Sequence, residues 1–316
     1  MKEKSEGIRI EYFLMLIVTF FWAVGHPLGR IIVRRVHPFQ LGAVTLSTGF
    51  LGLMVFMLFS GRFRKYTQLT TGDTLVSLGL GIFGFFFYQI LTFSALARIP
   101  ASMNAVLVST NVVFIALLAG LILKERIVPP RIAGIALALF GVIIVTFNRG
   151  FHMDTSGEGI NLLGCALSLL AALSFALYSI IGKRVLARND PLIVASLALF
   201  SGSVVLIIFA ALTKGFSEVR VAGWQNFALM VGLGLTMIGI AYPLWFTCLK
   251  RLPASHASVY IYLTPVFAVI LSLIILRERF SWLFWLGGAF ILGGIIITNR
   301  FAAGKPASQT ENRTKE

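Results

Sequence analysis

Polar and ring-bearing side chains recur at helical spacing inside long apolar runs of this sequence. Asn104 and Asn111 stand seven residues apart, on one face of a helix, and His256, Tyr260 and Thr264 follow each other at i, i+4 and i+8. Trp22, His26 and Arg30 repeat that spacing, and Tyr88, Gln89, Tyr178 and Tyr242 lie in further apolar runs. These residue types bind solutes. A reaction centre at membrane depth would need clustered metal ligands, a nucleophile beside a base, or paired carboxylates. The chain has two cysteines, Cys165 and Cys248, each alone in an apolar run, and its 12 acidic residues fall at the ends of apolar runs, in loops or in the tails. The reading is therefore of a protein that is not an enzyme, with no catalytic residue, no metal site and no cofactor. A polar group at the bilayer centre is costly and faces a cavity or another helix. Trp22, Tyr88, Tyr178, Tyr242 and Tyr260 would contact the body of a flat or apolar solute. His26, Asn104, Asn111 and His256 would orient its polar end, and Gln89 and Thr264 are further candidate substrate-binding residues. The plainer alternative for each is an interhelical hydrogen bond, contributing about 0.6 kcal/mol. His26 and His256 are the groups in the apolar runs that could carry a proton near neutral pH, although a lone histidine there more often simply hydrogen-bonds.

The elements that must position these residues follow from composition. Of 316 residues, 58% are hydrophobic and 12% charged, with mean hydropathy +0.90. A soluble domain has about 25% charged residues, so that class is excluded. A span needs about 20 apolar residues. The runs give ten, near 11–32, 39–60, 74–96, 100–123, 131–148, 160–182, 192–212, 224–248, 254–276 and 282–299. They are too long and too uniformly apolar for the strands of a barrel. The predicted fold is an all-α polytopic membrane protein whose first span is retained rather than cleaved as a signal. A polar cytoplasmic tail covers 301–316.

The net charge of +15 comes from 27 Lys and Arg in short clusters between the spans, a topology signal rather than a nucleic-acid surface. With both termini inside, 18 of them fall on the cytoplasmic side and 9 outside. That places the chain in the cytoplasmic (inner) membrane with both termini cytoplasmic, although Arg30, Arg34 and Arg35 run against the bias.

The chain also matches itself at one offset of 153 residues. Arg98-Ile-Pro-Ala-Ser102 recurs as Arg251-Leu-Pro-Ala-Ser255, and Leu123-Lys-Glu-Arg126 as Leu276-Arg-Glu-Arg279. Gly79 and Gly81 recur as Gly232 and Gly234, Pro38 as Pro191, and Gly134 and Gly141 as Gly287 and Gly294. Between 98 and 126 the match is 12 identities in 29 positions, and over more than a hundred residues the matches keep Pro, Gly, Glu and Arg in register, which apolar composition alone does not produce. This predicts two five-helix repeats, 1–150 and 151–300. Five is odd, so the second copy enters the membrane from the opposite side. Inverted repeats are the architecture of many secondary transporters, with the substrate site near the midplane between the halves.

This pattern resembles the drug/metabolite transporter superfamily, EamA type, over almost the whole chain. The resemblance rests on the two five-span repeats, Phe21-Trp22-Ala23 in the first span, the Pro-Ala-Ser openings of spans 4 and 9, and Thr264-Pro265-Val266-Phe267 leading to Leu276-Arg-Glu-Arg279. The first copy departs at Asn111-Val112-Val113-Phe114, where the family's usual proline is absent. The resemblance implies efflux of a small organic solute, amino-acid-like or aromatic, across the lipid bilayer by alternating access. The alternative is an anionic sugar or nucleotide-type metabolite, for which Arg30 and Lys183 are the only cationic candidates; a membrane-embedded enzyme or a scaffold ranks far behind.

Two further expectations concern motion and packing. Glu125 and Glu278 end spans 4 and 9, where a carboxylate opposes the helix dipole. The topology places Arg251 and Arg98 on their respective sides, so Glu125–Arg251 and Arg98–Glu278 are candidate gating pairs; neutralisation by adjacent Lys and Arg is the alternative. Gly134, Gly141 and the pairs Gly287-Gly288 and Gly293-Gly294 read as close packing within each repeat, with a homodimer contact as the second reading.

Overall fold

The computed structural model describes residues 2–62, 66, 69–122, 128–147, 161–249, 260–261 and 263–300. Ten apolar helices carry these residues. They are α1 (Lys2–Ile32), α2 (Pro38–Phe59), α3 (Thr71–Leu96), α4 (Ala101–Ile122), α5 (Pro129–Phe147), α6 (Leu162–Arg188), α7 (Pro191–Thr213), α8 (Gly223 to Leu249), α9 (Leu263–Leu276) and α10 (Trp282–Arg300). A short helix, Ser217–Val221, precedes α8. Among the described residues seven helices are long and apolar enough to cross a membrane, and apolar stretches of α5, α9 and α10 are shorter. The order matches the ten predicted spans, and α6 runs six residues further than the apolar pattern implies.

The starts of these helices are written locally. Pro38, Pro129 and Pro191 occupy first-turn positions where a missing N–H costs nothing. The Asp190 carboxylate accepts from Leu192 N at 3.0 Å, Asn161 Oδ1 from Gly164 N at 3.0 Å, and Thr70 Oγ1 from Asp73 N at 3.1 Å. α4 is interrupted at Ser109-Thr110, although it lacks the proline found at the equivalent place in α9. There Ser109 Oγ donates to the Val106 carbonyl (2.6 Å) and Thr110 Oγ1 to the Leu107 carbonyl (2.7 Å), so hydroxyls compete with the backbone ladder.

The sequence repeat is a repeat of packing. α2 lies on α7 and α5 on α10, each against its own counterpart. α1 packs on α9 as α6 packs on the second part of α4, and α8 on α2 as α3 on α7. The glycines show this at atomic scale. Gly81 sits against Ala198, Ser201 and Gly202, and Gly234 sits against Thr45, Thr48 and Gly49, every partner shifted by the same 153. Gly134 faces the Gly294 carbonyl while Gly141 faces that of Gly287. These contacts correct the expectation of packing within each repeat: the glycines of α5 and α10 join one repeat to the other.

End contacts establish that the copies are inverted. The α1–α2 loop touches the α7–α8 connection, where the Glu218 carboxylate accepts from His37 N and Gln40 Oε1 accepts from Val219 N at 3.1 Å. The α6–α7 loop touches the α2–α3 connection through Arg62 and Asp190, 3.3 Å apart. The two loops that bracket α2 lie at opposite ends of the bundle. The α1–α2 loop and its counterpart, the α6–α7 loop, therefore do so as well. Below, the first end is where α1 runs into α2, and the second end is where α6 runs into α7.

Candidate functional site

Two interruptions mark the centre of the bundle. α3 makes a π turn over Ile82–Phe87 and α8 one over Leu235–Ile240, again 153 residues apart. A π turn displaces the i→i−4 ladder, and inside a bilayer a freed carbonyl needs another donor. Both receive one from the neighbouring long helix. Trp22 Nε1 on α1 donates to the Met237 carbonyl at 3.0 Å, and Ser174 Oγ on α6 donates to the Phe83 carbonyl at 2.7 Å. Sequence reading missed both turns, which have no composition signal; their only trace was the in-register Gly81 and Gly234 immediately before them.

Around the two turns runs a continuous chain of rings. Tyr88 lies 5.7 Å from Phe175, Phe175 5.8 Å from Tyr178, and Tyr178 5.6 Å from Phe85. Phe85 lies 5.8 Å from Tyr242, Tyr242 5.9 Å from Trp22, and Trp22 5.4 Å from Trp245. All are ring-pair distances at which edge and offset contacts are favourable. The chain takes members from α1 and α3 of the first repeat and α6 and α8 of the second. It unites four residues singled out from sequence, Trp22, Tyr88, Tyr178 and Tyr242, through Phe85, Phe175 and Trp245, which that reading left out of the site.

A polar chain joins α1, α4 and α6. His26 Nδ1 lies 2.8 Å from Asn104 Oδ1, Asn104 Nδ2 donates to Ser168 Oγ at 2.9 Å, and Ser168 Oγ donates to the Gly164 carbonyl at 3.1 Å. A carbonyl can only accept, so Ser168 must accept from the Asn104 amide. This turns Oδ1 toward His26 and places the hydrogen on Nδ1. Nε2 of His26 has no hydrogen-bond partner among the described residues. His26 and Asn104 are both buried.

The other candidates are distributed differently. Gln89 donates to Thr45 Oγ1 at 3.0 Å, which ties α3 to α2 rather than turning it toward the rings. Tyr260 stacks on Tyr12 at 5.7 Å, in the cluster around Met15 and Cys248 that also takes in Trp245. Asn111 is half-buried just after the break in α4, and Thr264 Oγ1 is buried without a hydrogen-bond partner among the described residues. His256, Glu125 and Arg251 lie outside the described residues.

Arg98 and Glu278 do not pair. The Arg98 guanidinium donates to the Ser94 carbonyl at 2.7 Å. The Glu278 carboxylate accepts from Ala101 N (2.8 Å), Ser102 N (3.3 Å) and Ser102 Oγ (2.5 Å). The backbone donors at the start of α4 take the carboxylate while the guanidinium is engaged on its own helix, and they carry the positive end of a helix dipole. Glu11, at the start of the first apolar run, is buried at the second end, on the face of α1 that also carries Met15, Trp22 and His26. Outside the spans, burial lowers the His37 imidazole from its ordinary value, against the raising effect of Glu218. Burial raises the Tyr66 phenol, opposed by its hydrogen bond to Ser196.

The sequence pattern of the EamA-like transporter family matches residues 9–147 and again 162–300. The chain belongs to this family. As an EamA-like transporter it is a polytopic membrane protein that moves a solute, and its relatives are described as transporters. A "probable terminal-alkyne amino-acid exporter" of Streptantibioticus cattleyicolor is 30% identical over 226 residues, 71% of this chain and 73% of that protein. An "uncharacterized transporter" of Clostridium kluyveri is 27% identical over 291 residues, 90% and 92% respectively. A solved crystal structure at 21% identity has the same fold, with TM-score 0.62 over 93% of this chain and 99% of its own. The two π turns and the ring chain of this EamA-like transporter thus stand where its two family repeats meet.

Proposed function

We propose that this transporter exports a small organic solute with an apolar or aromatic body and a compact polar head, an amino-acid-like molecule, by alternating access. The observation that carries the reading is the ring chain across the repeat interface, with one uncharged polar network, His26–Asn104–Ser168, joining α1, α4 and α6. Rings and neutral hydrogen-bonding groups hold such a solute without the cost of a buried charge. The amino-acid exporter among the relatives supports the same class. An anionic sugar or nucleotide is disfavoured. The Arg30 guanidinium is engaged with the Leu96 carbonyl near the first end, and Lys183 is exposed. In this reading Trp22, Tyr88, Tyr178 and Tyr242 contact the body, and His26, Asn104, Asn111 and His256 serve the head. Gln89, Tyr260 and Thr264 complete the set. Both termini lie in the cytoplasm, at the second end, and the first end opens outward.

The test is counterflow in proteoliposomes with a panel of aromatic and aliphatic amino acids, sugar phosphates and nucleotides. The expected result is accelerated exchange of amino acids, lost in Tyr242→Ala and in His26→Ala that reconstitute normally. Exchange of the phosphorylated solutes alone would overturn the reading.

A further inference from the structure

The chain His26–Asn104–Ser168 joins three helices and also fixes the direction of each hydrogen along it. The Ser168 hydroxyl has one hydrogen, given to the Gly164 carbonyl at 3.1 Å, so toward the Asn104 amide at 2.9 Å it can only accept. The amide oxygen is thereby turned to His26 Nδ1 at 2.8 Å, and that nitrogen carries the ring hydrogen. Asn104 and Ser168 are fully buried, so water does not compete for these bonds. No carboxylate hydrogen-bonds the ring among the described residues, and an imidazolium there would be a buried charge without a counter-ion. The ring is therefore neutral, and Nε2 keeps its lone pair.

That lone pair is left open. Nε2 has no hydrogen-bond partner among the described residues, yet it is not one of the sealed atoms that lack a partner, as Thr264 Oγ1 is. His26 keeps 8% of its surface accessible. From Phe21 to Val33 no residue of α1 is exposed, so this opening faces the interior of the bundle rather than lipid. It lies one helical turn from Trp22 on the same face of α1, on the first-end side of the ring chain. Pro27, next in sequence, has no N–H for the Ala23 carbonyl, so the same turn holds a second acceptor relieved of its ladder bond. Arg30, one turn further on, is engaged with the Leu96 carbonyl and lies within electrostatic range of Glu278.

We propose that His26 Nε2 is the acceptor for the solute's nitrogen. The site takes a head that donates N–H, a primary amine or ammonium, and rejects heads that can only accept, such as a carboxylate alone or an oxo acid. Asn104 and Ser168 are positioning residues that hold the ring in its accepting tautomer. An ammonium brings three donors and a charge-assisted bond to a neutral acceptor, whereas a carboxylate sets lone pair against lone pair. The proposal rests on the reading that the solute lies along the ring chain, and it names the part of the polar head that is recognised.

Two measurements test it, and the first needs no solute. Nitrogen nuclear magnetic resonance of the imidazole rings in the full chain, with the His26 signals assigned by their loss in His26→Phe, should show a hydrogen on Nδ1 and a bare Nε2. Ser168→Ala should mix the two tautomers, which a merely structural role would not do. A hydrogen on Nε2, or mixed tautomers in the unaltered protein, overturns the proposal. The second measurement compares solutes with one phenyl body, phenethylamine and phenylalanine against phenylpropionate and phenylpyruvate, by calorimetric titration of the solubilised protein. The two amines should bind about tenfold or more tighter than the two acids, and His26→Phe should abolish the difference. Asn104→Asp places a carboxylate on Nδ1 and favours an imidazolium with a hydrogen on Nε2, so it should reverse the order. If that variant does not fold, His26→Phe decides. Equal affinities, binding of none of the four, or a preference that survives His26→Phe in well-folded protein overturns the proposal. Failure of amino-acid counterflow with the amine preference intact would fault the export reading alone.

Discussion

The two π turns have the same backbone and different fillings. In α3 the turn contains Gly84, and the Tyr178 ring from α6 occupies the space a side chain would take, with an added Cβ only 2.3 Å from the ring. In α8 the equivalent residue is Met237, and its thioether fills the space over Gly25 of α1, the counterpart of Tyr178. In both contacts the second repeat supplies the bulk and the first supplies the hollow. The carbonyl donors differ similarly, an indole from α1 in one case and a hydroxyl from α6 in the other. The duplicated backbone scaffold was retained while side-chain volume at the site diverged. An inverted-repeat transporter can therefore interconvert between related shapes and still present an asymmetric wall to its solute.

The largest effect separates scaffold from site. Gly81→Ala and Gly234→Ala would place Cβ atoms 2.2 Å from the Ala198 carbonyl oxygen and 2.4 Å from that of Thr45. Backbone cannot yield as a side-chain end can, so both variants should lose monodisperse protein on size exclusion, a cost of about 3 kcal/mol or more. Gly79→Ala and Gly232→Ala, two residues earlier, meet nothing within 4 Å. They should leave the thermal midpoint unchanged or raise it slightly, by about 1 kcal/mol of helix propensity each. Equal damage at all four positions would break the proposed distinction between the two glycines of each Gly-Leu-Gly sequence.

Next come the two hollows. Gly84→Ala drives a methyl into a rigid ring, whereas Gly25→Ala meets the end of a flexible methionine. Gly84→Ala should reduce counterflow about tenfold or more, with a thermal penalty of about 1–3 kcal/mol, and Gly25→Ala should cost less in both measurements. Adding Tyr178→Ala to Gly84→Ala should recover thermal stability without recovering transport. The reverse order of severity would show that the α8 turn, not the α3 turn, is the tighter joint.

The smallest effect concerns the donors. Trp22→Phe leaves the Met237 carbonyl without its indole partner, and Ser174→Ala does the same to Phe83. Each should cost about 1–2 kcal/mol in thermal unfolding, as for a buried acceptor losing its donor. Trp22→Phe should also weaken substrate binding, because the proposed site includes its ring. Ser174→Ala should leave binding nearly unchanged.

How much of this was legible beforehand follows from what each feature depends on. Span order and the repeat are written in long apolar runs and in register-keeping Pro, Gly, Glu and Arg, so they needed only periodicity. Trp22, Tyr88, Tyr178 and Tyr242 could be named because hydroxyls and indole are rare at depth. Phe85 and Phe175, which join them, look like any other apolar ring among 28 phenylalanines. The π turns leave no residue-type signal, since an extra residue in a helical turn is decided by packing against α1 and α6. Arg98 was paired with Glu278 because sequence shows charges and hides amides; the better partner for the acid was a backbone terminus. Gln89 has the chemistry of a ligand-binding group, but its direction was fixed by Thr45 across the α2–α3 contact.

The central claim is that equivalent residues of the two repeats face opposite sides of the membrane. Arg35 and Arg188 are such a pair, 153 residues apart and both exposed, one after α1 and the other closing α6. Single cysteines at these positions, in a background lacking Cys165 and Cys248, can be reacted with an impermeant maleimide in intact cells and in inverted vesicles. The account predicts that each labels in one preparation only and that the two preparations differ. Labelling of both from the same side would contradict it.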